Sequence, residues 1–268
     1  MKRQRLNWQE KVRKNVRKIM DFEHVKAVFE EYLNGYDREN DKVKLKIVHT
    51  YGVIRCSEEI GRRMGLQAED MELAKLIALL HDIGRFEQLK RFNSFEADTM
   101  DHATYGVKVL FEEGMIRQFI EEDTWDDVIR TAIAKHSDYE LTGITDERTL
   151  LHARLIRDAD KLDNCRVKLE DAMETLLDLS ADEVGKYAIS PKVREDAFAG
   201  KCICSKDRRT PMDYWVSYVA YFYDLNFQET LDIVAEEQYV KRIIGRVPYT
   251  NEQTKKTMEE LERQLTEY

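Results

Sequence analysis

The chain has 268 residues and a net charge of −9, from 52 acidic and 43 basic side chains. That length can bury a sizeable core, and the acidic balance excludes a general duplex-nucleic-acid surface, which needs a large basic excess. With 3 prolines and 11 glycines, and with Leu, Glu, Lys, Arg and Ala abundant, the composition predicts an all-α fold.

Residues 1–20 carry Lys2, Arg3, Arg5, Lys11, Arg13, Lys14, Arg17 and Lys18 against Glu10. This reads as a solvated helix able to dock through Trp8, Val12, Val16 and Ile19. Phe22, Val25, Phe29, Tyr32 and Leu33 mark one helix face, closed by Gly35, with His24 off the face and exposed. A long helix is expected over 41–64, stopped by Gly65. His49, Val53, Cys56, Ile60 and Met64 recur at steps of three or four, so His49 sits on its buried stripe.

The stretch Leu73-Ala74-Lys75-Leu76-Ile77-Ala78-Leu79-Leu80 is apolar nearly all round and predicts a helix buried in the core. It delivers His81 and Asp82 to the interior, followed by Gly84 as a helix terminator. Over 85–100 the periodicity is lost, and Phe86, Phe92 and Phe95 among charged residues suggest an irregular loop folded over the helix end. Asp101 is placed to cap a helix beginning at His102 and running to Gly114. Val128, Ile129, Ala132, Ile133 and His136 form the inner stripe of the next. Ile156, Ala159, Asp160, Asp163 and Val167 line another. Further helices are expected over 180–187, 191–198, 211–223, 227–244 and 251–267, the last able to dock on the body or on a second subunit through Met258, Leu261 and Leu265.

Four cysteines, Cys56, Cys165, Cys202 and Cys204, have neither zinc-finger nor disulfide-framework spacing, and read as free thiols of a reducing compartment. Cys202 and Cys204 sit in a basic loop over 200–210. No apolar run is long enough for a bilayer and no signal-peptide core opens the chain. The expectation is therefore a cytoplasmic protein without a membrane partner. The aromatic series Trp215, Tyr218, Tyr221, Phe222 and Tyr223 has helical spacing and reads as packing.

The inward-facing polar residues are His49, His81, Asp82, His102, His136 and Asp160. One buried histidine is usually satisfied by hydrogen bonding. Four with two aspartates are most simply satisfied by a shared cation. Imidazole and carboxylate donors without thiolate suit Fe, Mn, Ni, Co or Zn.

The order His49, then His81-Asp82, then Asp160 resembles the HD-domain superfamily of metal-dependent phosphohydrolases. The setting Asp158-Ala-Asp-Lys-Leu-Asp163 is similar to that of the family's last ligand. Asp158 and Asp163 compete with Asp160, which ranks first on the motif. His102 in Asp-His-Ala-Thr-Tyr-Gly and His136 in Ala-Lys-His resemble the extra ligands of binuclear members. The resemblance covers roughly residues 40–170. It implies one metal on His49, His81, Asp82 and Asp160, and a second on His102 and His136 with Asp82 bridging. With no obvious linker along the chain, a single HD-type helical domain over 1–268 is expected, with a core at about 22–178 and a C-terminal helical extension at about 180–268.

The implied activity is hydrolysis of a phosphate ester, of a nucleotide or another small phosphorylated metabolite, by metal-activated water. Asp82, Arg85 and Lys161 are the expected catalytic side chains. Candidate phosphate-binding cations rank as Arg85, then Lys161, then Arg91 and Lys90. The chain departs from known branches. Ser-Asp-Tyr-Glu follows His136, Ile-Gly-Arg follows Asp82, and Arg85 stands where nucleotidase-like members place a glutamate. The general acid is unassigned, with Glu87 the nearest candidate. The alternatives are an iron-dependent oxygenase of the myo-inositol oxygenase type and a non-catalytic ligand-sensing HD domain. The expected partner is a small phosphorylated substrate, with no duplex nucleic acid, and a homo-oligomer is allowed for by the terminal helix.

Overall fold

The computed structural model describes residues 20–96 and 98–267. The basic segment of Trp8, Val12, Val16 and Ile19 lies outside the described residues, which are helical and contain no strand. In chain order the first eight helices are α1 (Phe22–Leu33), α2 (Asp41–Met64), α3 (Ala68–Leu80), α4 (Ile83–Phe92), α5 (His102–Val107, continued by a π turn Lys108–Glu112), α6 (Ile116–Phe119), α7 (Asp126–Lys135) and α8 (Glu147–Glu170). Then come α9 (Met173–Leu177), α10 (Ala181–Val184), α11 (Pro191–Phe198), α12 (Pro211–Val219, continued by a 3₁₀ turn Ala220–Asp224), α13 (Gln228–Glu236), α14 (Tyr239–Ile244) and α15 (Glu252–Thr266).

The two 24-residue helices, α2 and α8, pack on each other and form the frame. Asn40 caps α2 by accepting from the amides of Lys42 and Val43, and Gly65 ends it in the left-handed region at φ 72°. Asp146 caps α8 through the amide of Thr149. Helix α3 packs on both, and Leu73, Ala74, Leu76, Ile77, Ala78, Leu79 and Leu80 are all buried. Lys75 escapes that core by pairing with Glu72 and lying 4.2 Å from the centroid of the Phe22 ring.

The irregular loop expected from Arg85 is instead helical as far as Phe92. Ile83, Phe86 and Leu89 recur every three residues and bury one face, while Arg91 bonds Glu87 one turn earlier on the other. Asn93, left-handed at φ 48°, ends it, so among the described residues of this stretch only 93–96 and 98–101 are irregular. Gly84 therefore terminates nothing. A Cβ there would stand 2.2 Å from the carbonyl oxygen of His102, so this glycine lets the α4 and α5 backbones meet.

The helix expected over 227–244 is broken by Gln238, left-handed at φ 52°, into α13 and α14. Nothing in local propensity marks that break; Ile233, Val234, Val240, Ile243 and Ile244 are buried on either side of it. The short α6 and α9 were not foreseen. Helix α15 docks on its own chain through buried Met258 and Leu261, with Leu265 packed against the same core.

Candidate metal centre

Three helices and two helix ends converge on one point. Helix α2 brings His49, which is buried, and α8 brings Asp160 opposite it. The end of α3 brings His81 and Asp82, the first turn of α5 brings His102, and the residue after α7 is His136. His49, His81 and Asp160 present donor atoms within 4.8 Å of one another, as do His81, Asp82 and His136. His102 Nε2 completes the second group, 3.1 Å from both Asp82 Oδ1 and His136 Nε2. All six residues expected at the centre are thus brought together.

Asp82 stands between the two groups. Its Oδ1 faces His102 at 3.1 Å and His136 at 3.6 Å. Its Oδ2 lies 3.5 Å from His81 Nε2 and 2.5 Å from Lys46 Nζ. Burial alone would raise this carboxyl's pKa. Lys46 first, then His81, with the imidazoles of His102 and His136 beside it, outweigh burial and hold it well below the usual range. Asp160 lies low for the same reason, with burial overcome by His49, His81 and Lys46. His81 moves the other way, since Asp82 and Asp160 outweigh the burial that would lower it. His102 is pushed down to about 3 by burial, reinforced by the Arg85 guanidinium.

The donor set fits a divalent cation. His81 Nδ1 donates to Ala78 O at 2.7 Å, and His136 Nδ1 donates to Ile133 O at 2.7 Å. These bonds fix the tautomers and turn each Nε2 into the site as a lone pair. His81 Nε2 is buried and makes no hydrogen bond. His136 Nε2 faces His102 Nε2, which already accepts from Arg85 Nη2 at 3.0 Å. Two imidazole lone pairs at that separation repel unless a cation lies between them. His49 shows the same arrangement, with Nδ1 donating to Asp163 Oδ2 at 2.7 Å and Nε2 on Asp160.

Two competing aspartates have other tasks. Asp163 orients His49 and is itself held by Arg166. A Cβ on Gly52 would stand 1.9 Å from its Oδ1, so the mid-helix glycine makes the space Asp163 occupies. Asp158 is fully buried and accepts from the amides of Asn226 and Phe227, the Asn226 side chain and the Thr230 hydroxyl. It ties α8 to the start of α13.

The residues matched by the HD-domain family model are 47–165. This part of the chain is an HD domain. HD domains are for the most part metal-dependent hydrolases that bind divalent ions. No curated protein and no solved structure matches the chain. Among the described residues, no helix is long and apolar enough to cross a membrane.

The centre of the HD domain opens into a cavity of about 730 Å³. Its far wall comes from beyond the matched segment: Cys202, Cys204 and Arg208 of the basic loop, and Tyr214, Tyr218 and Tyr221 of α12 and its 3₁₀ extension. The aromatic series is therefore divided. Trp215 and Phe222 are buried packing, whereas Tyr218 and Tyr221 also line the cavity. The four cysteines are free, as expected.

Arg85 and Lys161 line the cavity. Arg85 bonds Gln88 Oε1 at 2.5 Å and lies 3.8 Å from Asp82 Oδ1. Lys161 is engaged by Asp224 at 2.7 Å, beside buried Arg157, which pairs with the same carboxylate. Arg91 and Lys90 are corrected: α4 being helical turns them away from the cavity, Arg91 onto Glu87 and Lys90 onto the carbonyl of Gly35. Glu87, held by Arg91 and near Tyr36, leaves the centre with them.

Sequence reasoning missed Lys46 and Lys168. Lys46 stands one turn before His49 on the same stripe, and that spacing was the available signal. Lys168 continues the stripe of Asp160 and Asn164 at steps of four, and a charged residue there reads as surface until the far wall is known.

Proposed function

We propose that the protein is a phosphohydrolase that cleaves a phosphate ester of a nucleotide or another small phosphorylated metabolite, dependent on one or two divalent transition metals. The observation that carries the reading is the His81 and His136 pair. Both imidazoles are locked by backbone carbonyls with Nε2 turned inward, on either side of a carboxylate kept ionised. In this reading His49, His81, Asp82 and Asp160 would hold one ion, and His102, His136 and Asp82 a second. A metal held by these residues would supply a water of near-neutral pKa and charge neutralisation at phosphorus.

The chain's own groups do the rest. Asp163 fixes the ring of His49, and Asn164 Nδ2 donates to Asp160 Oδ1 at 2.9 Å, so neither donor is free to rotate. Arg85 presents a guanidinium at the cavity beside Asp82, suited to two non-bridging phosphate oxygens. Lys46 stands 2.5 Å from Asp82 Oδ2 on the cavity wall, where its ammonium is placed to meet a substrate oxygen. The elements buried behind the donors keep this arrangement preorganised, so little is spent on reorganisation during reaction.

Elemental analysis of freshly purified protein, joined to a phosphate-ester screen, tests the reading. The expected result is stoichiometric divalent metal and phosphate release, both lost in His81→Ala. Full metal content and turnover in that variant would overturn it.

A further inference from the structure

Seven cations line the cavity, and six of them have a carboxylate within 4.0 Å: Lys42, Lys46, Arg85, Arg157, Lys161 and Arg208. Lys168 is the exception. Its residue is only 6% exposed, yet its ammonium makes no ion pair and no hydrogen bond among the described residues. What it does have is the ring of Tyr218, with Nζ 3.8 Å from the centroid. A largely buried ammonium without a hydrogen-bonded counter-charge is expensive, and a ring quadrupole offsets only part of that. Burial, with the like charge of Lys46 adding to it, outweighs the attraction of Asp160 and Asp171 and holds the amine down to about 7. The group is aimed into the cavity, so the missing partner belongs there.

Its position says what the partner is. Asp160, Asn164 and Lys168 follow one another along α8 at steps of four, all on the cavity wall. Lys168 therefore springs from a point two turns, ~12 Å along the axis, beyond the aspartate at the metal centre. A phosphate seated at Asp82 and Arg85 leaves most of the cavity, and this amine, unfilled. We infer that Lys168 binds a second phosphate group of the substrate, so that the substrate class is a metabolite carrying two or more phosphates, with Tyr218 holding the amine in place. The inference rests on the proposed function for the place of the first phosphate. Its own signature is binding, which needs no turnover.

The test uses full-length, metal-loaded protein, with free metal held constant, and two inorganic probes, tripolyphosphate and orthophosphate. Calorimetry gives the dissociation constant of each for the unaltered protein, Lys168→Met and Lys168→Arg, with thermal melting to establish that the variants are folded. The expected result is that the methionine variant loses about tenfold or more in tripolyphosphate affinity, the scale of one charge-assisted hydrogen bond. Orthophosphate binding should stay within about twofold, and the arginine variant should recover most of the loss. Equal loss for both probes, no loss for either, or no preference for tripolyphosphate in the unaltered protein would each overturn it. If tripolyphosphate binding behaves as expected while no ester is hydrolysed, the second-phosphate site stands and the hydrolase reading fails; the reverse result separates them the other way.

Discussion

The two ends of the cavity are built on opposite principles. At the histidine end, the donors are oriented from behind by other groups of the chain: His81 and His136 by carbonyls, His49 by Asp163, and Asp163 in turn by Arg166 and the space at Gly52. At the other end Lys168 stands against an aromatic ring with no carboxylate within 4.0 Å among the described residues. A centre that must hold a cation in fixed geometry gains from saturating every outward bond of its ligands. A group that must take and release an anion gains from having no competitor inside the protein. The contrast separates the part of the site that organises chemistry from the part that selects what enters.

The largest effect should come from the shared carboxylate. Asp82→Asn removes the charge that faces both histidine groups. It should lower turnover by about 10³-fold or more, with loss of bound metal, several kcal/mol of transition-state stabilisation at 1.36 kcal/mol per factor of ten. Activity together with elemental analysis checks this, and unchanged metal content would break the comparison at its strongest point.

Asp158 tests the scaffold that carries the lysine end. Asp158→Ala orphans buried donors at Asn226, Phe227 and Thr230 without touching a histidine. It should lower unfolding stability by about 3 kcal/mol in denaturant titration, while the protein that remains folded keeps its metal.

Gly52 acts on the histidine end alone. Gly52→Ala drives a methyl into Asp163 and should weaken metal affinity about 10- to 100-fold, as loss of an outer partner of a ligand does, even though alanine is the better helix former. Competition with a chelator measures it. The tripolyphosphate preference should survive once metal is saturating, which sharpens the division between the two ends.

The smallest effect serves as a control on the frame common to both. His152 of α8 is buried and donates Nε2–H to Asp70 at 3.0 Å. Burial outweighs Asp70 and lowers its pKa below 6.5. The unfolded chain therefore takes up this proton at a higher pH than the folded one. Stability falls as pH drops through 6.5 toward the folded-state value, by at most about 1.4 kcal/mol per pH unit. His152→Gln should remove that part of the slope, read from melting temperatures between neutral and mildly acidic pH, with no change in either probe's binding at neutral pH.

Much of the histidine end was legible before any coordinates. His49, His136 and Asp160 sit on helical stripes whose period fixes their direction, and His81-Asp82 ends a segment too apolar to lie anywhere but the core. The preference for Asp160 over Asp158 and Asp163 agrees with where the three carboxylates point, and the cap at Asp101 is where a side-chain oxygen was expected to serve. Reading 85–100 as a loop failed because the apolar period of Ile83, Phe86 and Leu89 is short and interrupted by charges. Local propensity could not weigh the burial that those three residues gain. With that helix unseen, Lys90, Arg91 and Glu87 were placed near a centre from which α4 turns them away.

What the sequence determined by itself is the all-α class, the longer helices and the faces they bury, because periodicity and capping are properties of neighbours along the chain. The tertiary structure alone decided what stands across the cavity from the histidines. The distance from Lys168 to Tyr218, the pairing of Lys161 with Asp224 and the methyl-sized space at Gly52 depend on segments tens of residues apart meeting in space. No local pattern encodes such a meeting, since each partner reads as ordinary surface or ordinary core until the other is in place.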